Sequence, residues 1–237
     1  MTKDERIAAE RERLMNMYAF QTELVNGTRF VFGIDEAGRG PLCGPVVAGC
    51  CILPDDADIL WLNDSKKISE KKREQIYEEI ISKAKAYGVG IVSSERIDEI
   101  NILNATMEAM TDAFENCLAM YRERVSESSA LNLDDMDLIP SISDSICLID
   151  GNRITPGIPF KQLAVVKGDA KCPSISAASI IAKVTRDRML IEYDEKYPEY
   201  GFAKHKGYGT KEHVEAIRRY GVLDIHRRSF LKNILEN

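Results

Sequence analysis

The chain has 237 residues, 44% hydrophobic and 30% charged, with a net charge of −6, the composition of a globular protein long enough for a sizeable core. No apolar run approaches the roughly eighteen residues of a membrane span, and the charged residues 1–26 contain no apolar leader core, so neither a span nor a secretory signal is predicted. Cys43, Cys50, Cys51, Cys117, Cys147 and Cys172 show no C-x-x-C spacing and read as buried or free thiols of a reducing compartment, the cytoplasm.

Residues 3–25 read as a helix with Ile7, Met15, Tyr18 and Leu24 spread among charges, an N-terminal extension. Residues 29–34 form a strand apolar on both faces, and residues 46–53 a second. Ser69 caps a helix running to about Tyr87 and stopped by Gly88, and residues 89–93 are strand-like. Asn101 opens a helix striped by Met107, Met110, Phe114, Leu118 and Tyr121. Residues 126–145 carry Glu127, Asp134, Asp135, Asp137 and Asp144 without a Lys or Arg, the composition of a solvated surface loop. Residues 146–149 and 163–166 are short apolar strands, residues 174–193 a helix, and the chain from Pro198 is turn-rich and then helical. This order predicts a mixed α/β sheet with a helical C-terminal region. Three parts are expected: the extension (1–28), a catalytic body (29–195, with the insert 126–145) and a substrate-binding C-terminal region (196–237). Charge divides along the same line. Residues 1–160 hold 17 Lys and Arg against 28 Asp and Glu, whereas residues 161–237 hold 15 against 10, so the C-terminal third can track phosphates despite the acidic total.

Three strands end alike: "GIDEAG" in Asp35 with Glu36 beside it, "CLIDG" in Asp150, and "AVVKGD" reaching Asp169 just past its strand. An isolated carboxylate at such a half-buried position costs several kcal/mol unless a cation shares it. If these strands are neighbours, the acids meet at one end of the sheet, where oxygen-only donors suit Mg²⁺ or Mn²⁺. Taken singly, each acid reads more readily as a strand-end turn residue, and periodicity does not show adjacency; it is the shared local pattern of three that favours a cluster. Successive strand residues face opposite sides, so Asp35 and Glu36 reach one cluster only if the strand ends or bulges between them. The Ala-Gly-Arg-Gly that follows offers that break. Asp187, in "TRDR", is a rival fourth acid. It lies thirteen residues along its helix from Ser174, about 20 Å, and four after Lys183 as a surface ion pair would, so Asp169 is preferred. His205, His213 and His226 are too scattered for a metal site and read as structural or phosphate-facing.

"DEAGRGPLCGPV", "DSKK" (64–67), "IDEINILNATM", "LIDG", "VVKGDAKCPSISAASIIAKVTRDR", "HKGYGTKEH" and "IHRRSF", in this order over residues 30–230, resemble bacterial ribonuclease HII. The sister type, ribonuclease HIII, is less similar, since it has another residue pair in place of Gly-Arg-Gly. The resemblance implies an RNase H-like mixed five-stranded sheet flanked by helices. It also implies a metal-dependent endonuclease acting on RNA–DNA hybrids and on duplex DNA with embedded single ribonucleotides, leaving 3′-hydroxyl and 5′-phosphate ends. Asp35, Glu36, Asp150 and Asp169 match the family's catalytic, metal-holding acids, with two Mn²⁺ or Mg²⁺ ions expected and Asp35 bridging them. Gly38, Arg39 and Gly40 match the segment that reads the 2′-hydroxyl, and Tyr208 the tyrosine that packs on the adjoining deoxyribose. Ser65, Lys66, Lys67, Lys183 and Lys206 are candidate substrate contacts, each lysine equally readable as a solvated surface residue. The acidic insert and the crowding of Cys43, Cys50 and Cys51 depart from the family pattern without touching a matched acid. A monomer is expected. The alternative is a hybrid-binding protein of the same fold that does not cut; loss of an acid would mark it, and all four are present.

Overall fold

The structure, a computed structural model, describes residues 2–128 and 139–235. Its centre is a five-stranded sheet in the order β3-β2-β1-β4-β5. The strands are β1 (Phe30–Ala37), β2 (Val46–Ile52), β3 (Ala86–Val92), β4 (Ser145–Asp150) and β5 (Lys161–Val165). β2 is antiparallel to β1 and β3, while β4 is parallel to β1 and β5. The mixed sheet expected from the sequence is therefore present, with β1 and β4 adjacent.

Alternation along β1 divides the core. Phe30, Phe32 and Ile34 face α3 (Ser94–Ser128), where Phe32, Phe114 and Phe160 pack with ring centroids 5.0–5.6 Å apart. The other face is covered by α4 (Pro173–Lys196), with α1 (Lys3–Val25) and α2 (Glu70–Lys83) outside it. Thr2 and Glu5 form a capping box at the start of α1, and Gln21 accepts hydrogen bonds from the Ser174 amide and hydroxyl. Leu14 and Val25 are buried against the body. Beyond α4 come α5 (Phe202–His205), α6 (Lys211–Tyr220) and α7 (Arg228–Leu235). They build a smaller core of Tyr200, Phe202, Ile217 and Leu231 around Leu42 and Leu190.

Three boundaries differ from expectation. α2 stops at Lys83, and Gly88 lies within β3 rather than ending a helix. A Cβ on Gly88 would sit 2.2 Å from the Ala113 carbonyl oxygen, so the glycine is there because α3 lies directly on the strand. A helical segment precedes Asn101, whose left-handed φ of 67° breaks α3 and whose side chain accepts from the Leu103 and Asn104 amides, starting the helix afresh. The acidic insert is shorter than read: Ser126 to Ser128 are the end of α3, Ser145 opens β4, and residues 129–138 lie outside the described residues.

The seat of α4 is set by Gly49 on β2, where an ideal Cβ would lie 2.4 Å from the Ala178 carbonyl oxygen. Gly49→Ala should force helix and sheet apart and cost about 1–3 kcal/mol, measured as a lower urea midpoint at unchanged m-value; an unchanged midpoint would show that α4 yields freely.

Candidate active site

β1 does not break between Asp35 and Glu36. It continues through Ala37 in regular register, Asp35 opposite Gly49 and Glu36 opposite Ala48. The expected break is thus absent, and the two carboxylates leave opposite faces of the sheet. Asp35 turns toward α4, where the Ser179 hydroxyl lies close enough to temper its charge and donates to the Ser65 hydroxyl at 3.0 Å. Glu36 turns toward α3 and is paired with Arg39 at 3.3 Å. They meet at the end of the sheet because β1 outruns its parallel neighbour. Pairing with β4 ends at Ile34 and Ile149, so Asp150 sits beside both. Asp169 lies in a 3₁₀ turn (Gly168–Ala170) after β5, and the Asp150 Oδ1 accepts from the Gly168 amide at 2.7 Å and more distantly from the Asp169 amide at 3.4 Å. The structure therefore brings Asp35, Glu36 and Asp150 into electrostatic reach of one another, and Asp169 into reach of Asp150.

This crowding has a physical signature. Burial, then the Glu36 and Asp150 charges, hold the Asp35 carboxyl well above the usual carboxylate range. Burial raises Glu36 too, against the opposing pull of Arg39 and Lys66. Burial, Asp150 and Asp64 raise Asp169. A set of oxygen donors that repel one another fits a hard divalent cation, which would relieve the repulsion.

A groove of about 440 Å³ opens beside the acids, edged by Glu36, Gly38, Arg39, Gly40, Lys66 and Tyr208. Gly38 has φ +94°, and a Cβ there would collide with the Arg186 side chain at 2.1 Å. Tyr208 is 43% exposed, its ring edge 3.6 Å from where a Gly40 Cβ would stand. Ser65 and Lys183 also line the groove, yet the Lys183 ammonium is held 2.5 Å from Asp187. Asp187 is itself buried and 4.0 Å from Arg73, so this pair is internal rather than the surface pair expected. Lys67 lies 3.9 Å from Asp64, and Lys206 lies 3.3 Å from Glu70; neither is among the residues lining the groove.

Two residues that sequence reasoning passed over hold the glycine loop. Arg227, fully buried, donates from Nη2 to the Gly38 carbonyl (2.6 Å), from Nη1 to Arg39 and Pro41 (3.0 and 2.9 Å) and from Nε to Gly44 (3.0 Å). Arg186 donates to the carbonyls of Pro45, Cys43 and Lys206 at 2.9–3.0 Å. Both lie in the motifs "TRDR" and "IHRRSF", where nothing local separates them from the exposed Arg188 and Arg228; their burial, which demands a full set of acceptors, is visible only in the fold.

The three histidines, scattered in sequence, converge. His205 stacks on His213 with ring centroids 4.5 Å apart, and His213 Nε2 lies 3.1 Å from His226 Nε2, with Cys43 in the same buried cluster. Their partners assign the protons. His226 Nδ1 accepts from the Leu223 amide, so its Nε2–H donates to His213, whose Nδ1–H donates to the Tyr208 carbonyl. Burial lowers His213 and His226 to about 4, leaving both neutral. A cation would have to displace a proton that is already satisfied, close to two buried guanidiniums, so the cluster is a brace beneath the Tyr208 turn.

A fold of this topology with this acid cluster can be compared with known proteins. The family model described as Ribonuclease HII matches residues 32–233. The chain belongs to the ribonuclease HII family. It is 49% identical over 234 residues to the Ribonuclease HII of Clostridioides difficile (strain 630), covering 98% of this chain and 82% of that protein. It is 47% identical over 239 residues to the Ribonuclease HII of Caldanaerobacter subterraneus subsp. tengcongensis, covering 100% and 89%. The crystal structure of the ribonuclease H2 from Pyrococcus horikoshii OT3 superposes with a TM-score of 0.60 at 28% identity, over 88% of this chain and 98% of that one. The protein is accordingly a ribonuclease H, an enzyme acting on RNA paired with DNA.

The raised Asp35 carboxyl makes a stability prediction for the metal-free protein. A folded pKa above the unfolded one means the native state binds more protons, so stability falls as pH rises from about 4 through the folded value. Asp35→Asn removes that loss and should raise Tm in chelator by about 2–4 °C at pH 8, with a smaller gain at pH 5. Equal shifts at both pH values would show that the Asp35 charge is not the strained element.

Proposed function

We propose that the enzyme is a divalent-metal-dependent endonuclease that cuts the RNA strand of RNA–DNA hybrids and cuts 5′ to single ribonucleotides embedded in duplex DNA, leaving 3′-hydroxyl and 5′-phosphate ends. The observation that carries this reading is the convergence of four carboxylates beside a groove edged by the backbone of Gly38 and Gly40 and the ring of Tyr208. Asp35, Glu36, Asp150 and Asp169 would hold two Mg²⁺ or Mn²⁺ ions. Bound there, such ions lower the pKa of water and neutralise charge developing on the phosphate. The six buried free thiols suit a reducing cytoplasm. Among the described residues no helix is long and apolar enough to cross a membrane.

The chain's own residues would do the positioning. Peptide C=O and N–H groups are antiparallel. With the Gly38 and Arg39 carbonyls turned inward onto Arg227, the Arg39 and Gly40 amides point outward. Neither amide has a backbone acceptor among the described residues. They can donate to a 2′-hydroxyl or phosphate without Cβ interference. Lys66, whose charge acts on Glu36 and Asp169, is placed to meet a phosphate there. Tyr208 would pack on the next sugar, which an added hydroxyl would crowd.

The test is a substrate panel of RNA–DNA hybrid, DNA duplex with one ribonucleotide, all-DNA duplex and single-stranded RNA, each with Mg²⁺, Mn²⁺ or chelator. Cleavage should be confined to the first two and to metal. Asp150→Asn should lower it more than about a hundredfold while duplex binding survives; wild-type turnover in that variant would refute the acid assignment.

Tyr208→Ala should cost about 1–3 kcal/mol, roughly tenfold to a hundredfold in rate, on the single-ribonucleotide duplex, and less on a continuous hybrid. Single-turnover rates on both substrates decide it, since an equal loss on each would make Tyr208 a general packing residue.

A further inference from the structure

Glu36 lines two openings, not one. On the side away from Tyr208 a narrower cleft of about 120 Å³ shares Glu36 and Arg39 with the groove and reaches Asp150. One wall is α3 at Thr106 and Met107, and the other is the arch of residues 151–155 that follows β4. Both ends of that arch are fixed. The Gly151 amide donates to the Val165 carbonyl at 3.1 Å. Thr155, 1% exposed, is clamped by the Gln162 side chain, which accepts from its amide and donates to its carbonyl, both at 2.8 Å. Between these anchors Asn152 and Arg153 are exposed, and so is Ile154, at 54%. Arg153 has no ion pair or hydrogen bond among the described residues, although Asp150 and Glu36 line the same cleft. A rigid arch thus presents an unpaired guanidinium, a side-chain amide and an apolar side chain directly beside the acid cluster.

We propose that Asn152 and Arg153 form a phosphate-binding subsite for the strand upstream of the cut, the segment whose 3′ oxygen leaves. The inference rests on the function proposed above, in which the ribonucleotide and the deoxynucleotide after it occupy the groove between Gly38 and Tyr208. The strand on the other side of the scissile phosphate must then cross Glu36 and Asp150 into this cleft. A guanidinium takes both non-bridging oxygens of a phosphodiester in a fixed geometry, the Asn152 amide can donate to one of the same two oxygens, and Ile154 offers a surface for a sugar. Such contacts carry no base sequence. They hold the leaving nucleotide while the downstream one is read, which keeps the attacking and leaving oxygens in line.

The test uses the full-length enzyme, its Arg153→Ala variant and duplexes bearing one ribonucleotide, with one phosphate at a time replaced by a neutral methylphosphonate on either side of the cut. Because Arg153 is exposed, Tm should be unchanged. Arg153→Ala should lower single-turnover kcat/KM about tenfold and reduce the salt slope of binding by about one. One upstream methylphosphonate should cost the wild-type enzyme a similar factor and cost the variant nothing further, and Arg153→Lys should recover part of the loss. The subsite is refuted if Arg153→Ala cleaves within about twofold of wild type, a factor too small for a charged hydrogen bond. It is equally refuted if the variant couples to a downstream phosphate or multiplies with every upstream substitution. Failure of the wild-type enzyme to cleave the unmodified duplex would instead overturn the reading on which the subsite rests.

Discussion

Two buried guanidiniums with no carboxylate in ion-pair contact among the described residues organise this molecule. Arg186 and Arg227 are at most 1% exposed, and taking a charge out of water costs several kcal/mol. Here seven backbone carbonyls offset that cost, six of them in the loop between β1 and β2. Burial lowers the pKa of both arginines, yet guanidinium is the one cation that stays charged there. Lysine, with three donors on a flexible stem, could not replace it, because the loop needs a planar fork reaching separate carbonyls. The consequence reaches the surface. Carbonyls drawn inward leave amides facing outward, so the groove's donors are created by side chains that do not line it or, like Arg186, only edge it. The same bonds explain why residues near 40, 186 and 227 form one site: the C-terminal region is attached to the sheet through this loop.

The acid cluster is built on the opposite principle. Its members repel one another, and the fold forces them together because β1 extends past β4 and delivers one carboxylate from each face. Asp35 belongs to the α4 side and Glu36 to the α3 side. Glu36, on that side, lines both the groove and the cleft, and Asp150 the cleft. A bulge placing both acids on one face would have made a tighter cluster on a single wall. The straight strand instead leaves Asp35 buried against α4 and Glu36 on the side of α3.

Much of this was legible in the sequence, and the failures have a common cause. The strands read at residues 29–34 and 46–53, the helix after Ser174 and the restart at Asn101 follow from apolar periodicity and capping chemistry, which are local. The acids at strand ends were visible for the same reason. Gly88 was misread because a glycine that ends a helix and one that admits a neighbouring helix look alike in one dimension. Asp187 and Lys183 were placed on the surface by the ordinary preference of charged residues, a preference that cannot anticipate Arg73 arriving from α2. The histidines are the clearest case. Positions 205, 213 and 226 show no spacing rule, and only the packing of α5 and α6 around Phe202 stacks them.

That stack also fixes the turn that carries Tyr208. Tyr208 stands in an exposed turn between two glycines, a setting that by itself would let the ring wander. Its backbone has little freedom. The amide donates to the His205 carbonyl, and the carbonyl accepts from the Thr210 amide and from His213. Behind it the histidine chain ends on the Leu223 amide, and the Gly207 carbonyl accepts from Leu42 on the glycine loop. Only the ring remains free, and it has few torsions to lose on binding. Ordering a loop at the moment of recognition costs binding energy residue by residue. A turn whose backbone is already fixed spends that cost on folding, and under the proposed function it would leave the contact between ring and sugar to discriminate one hydroxyl.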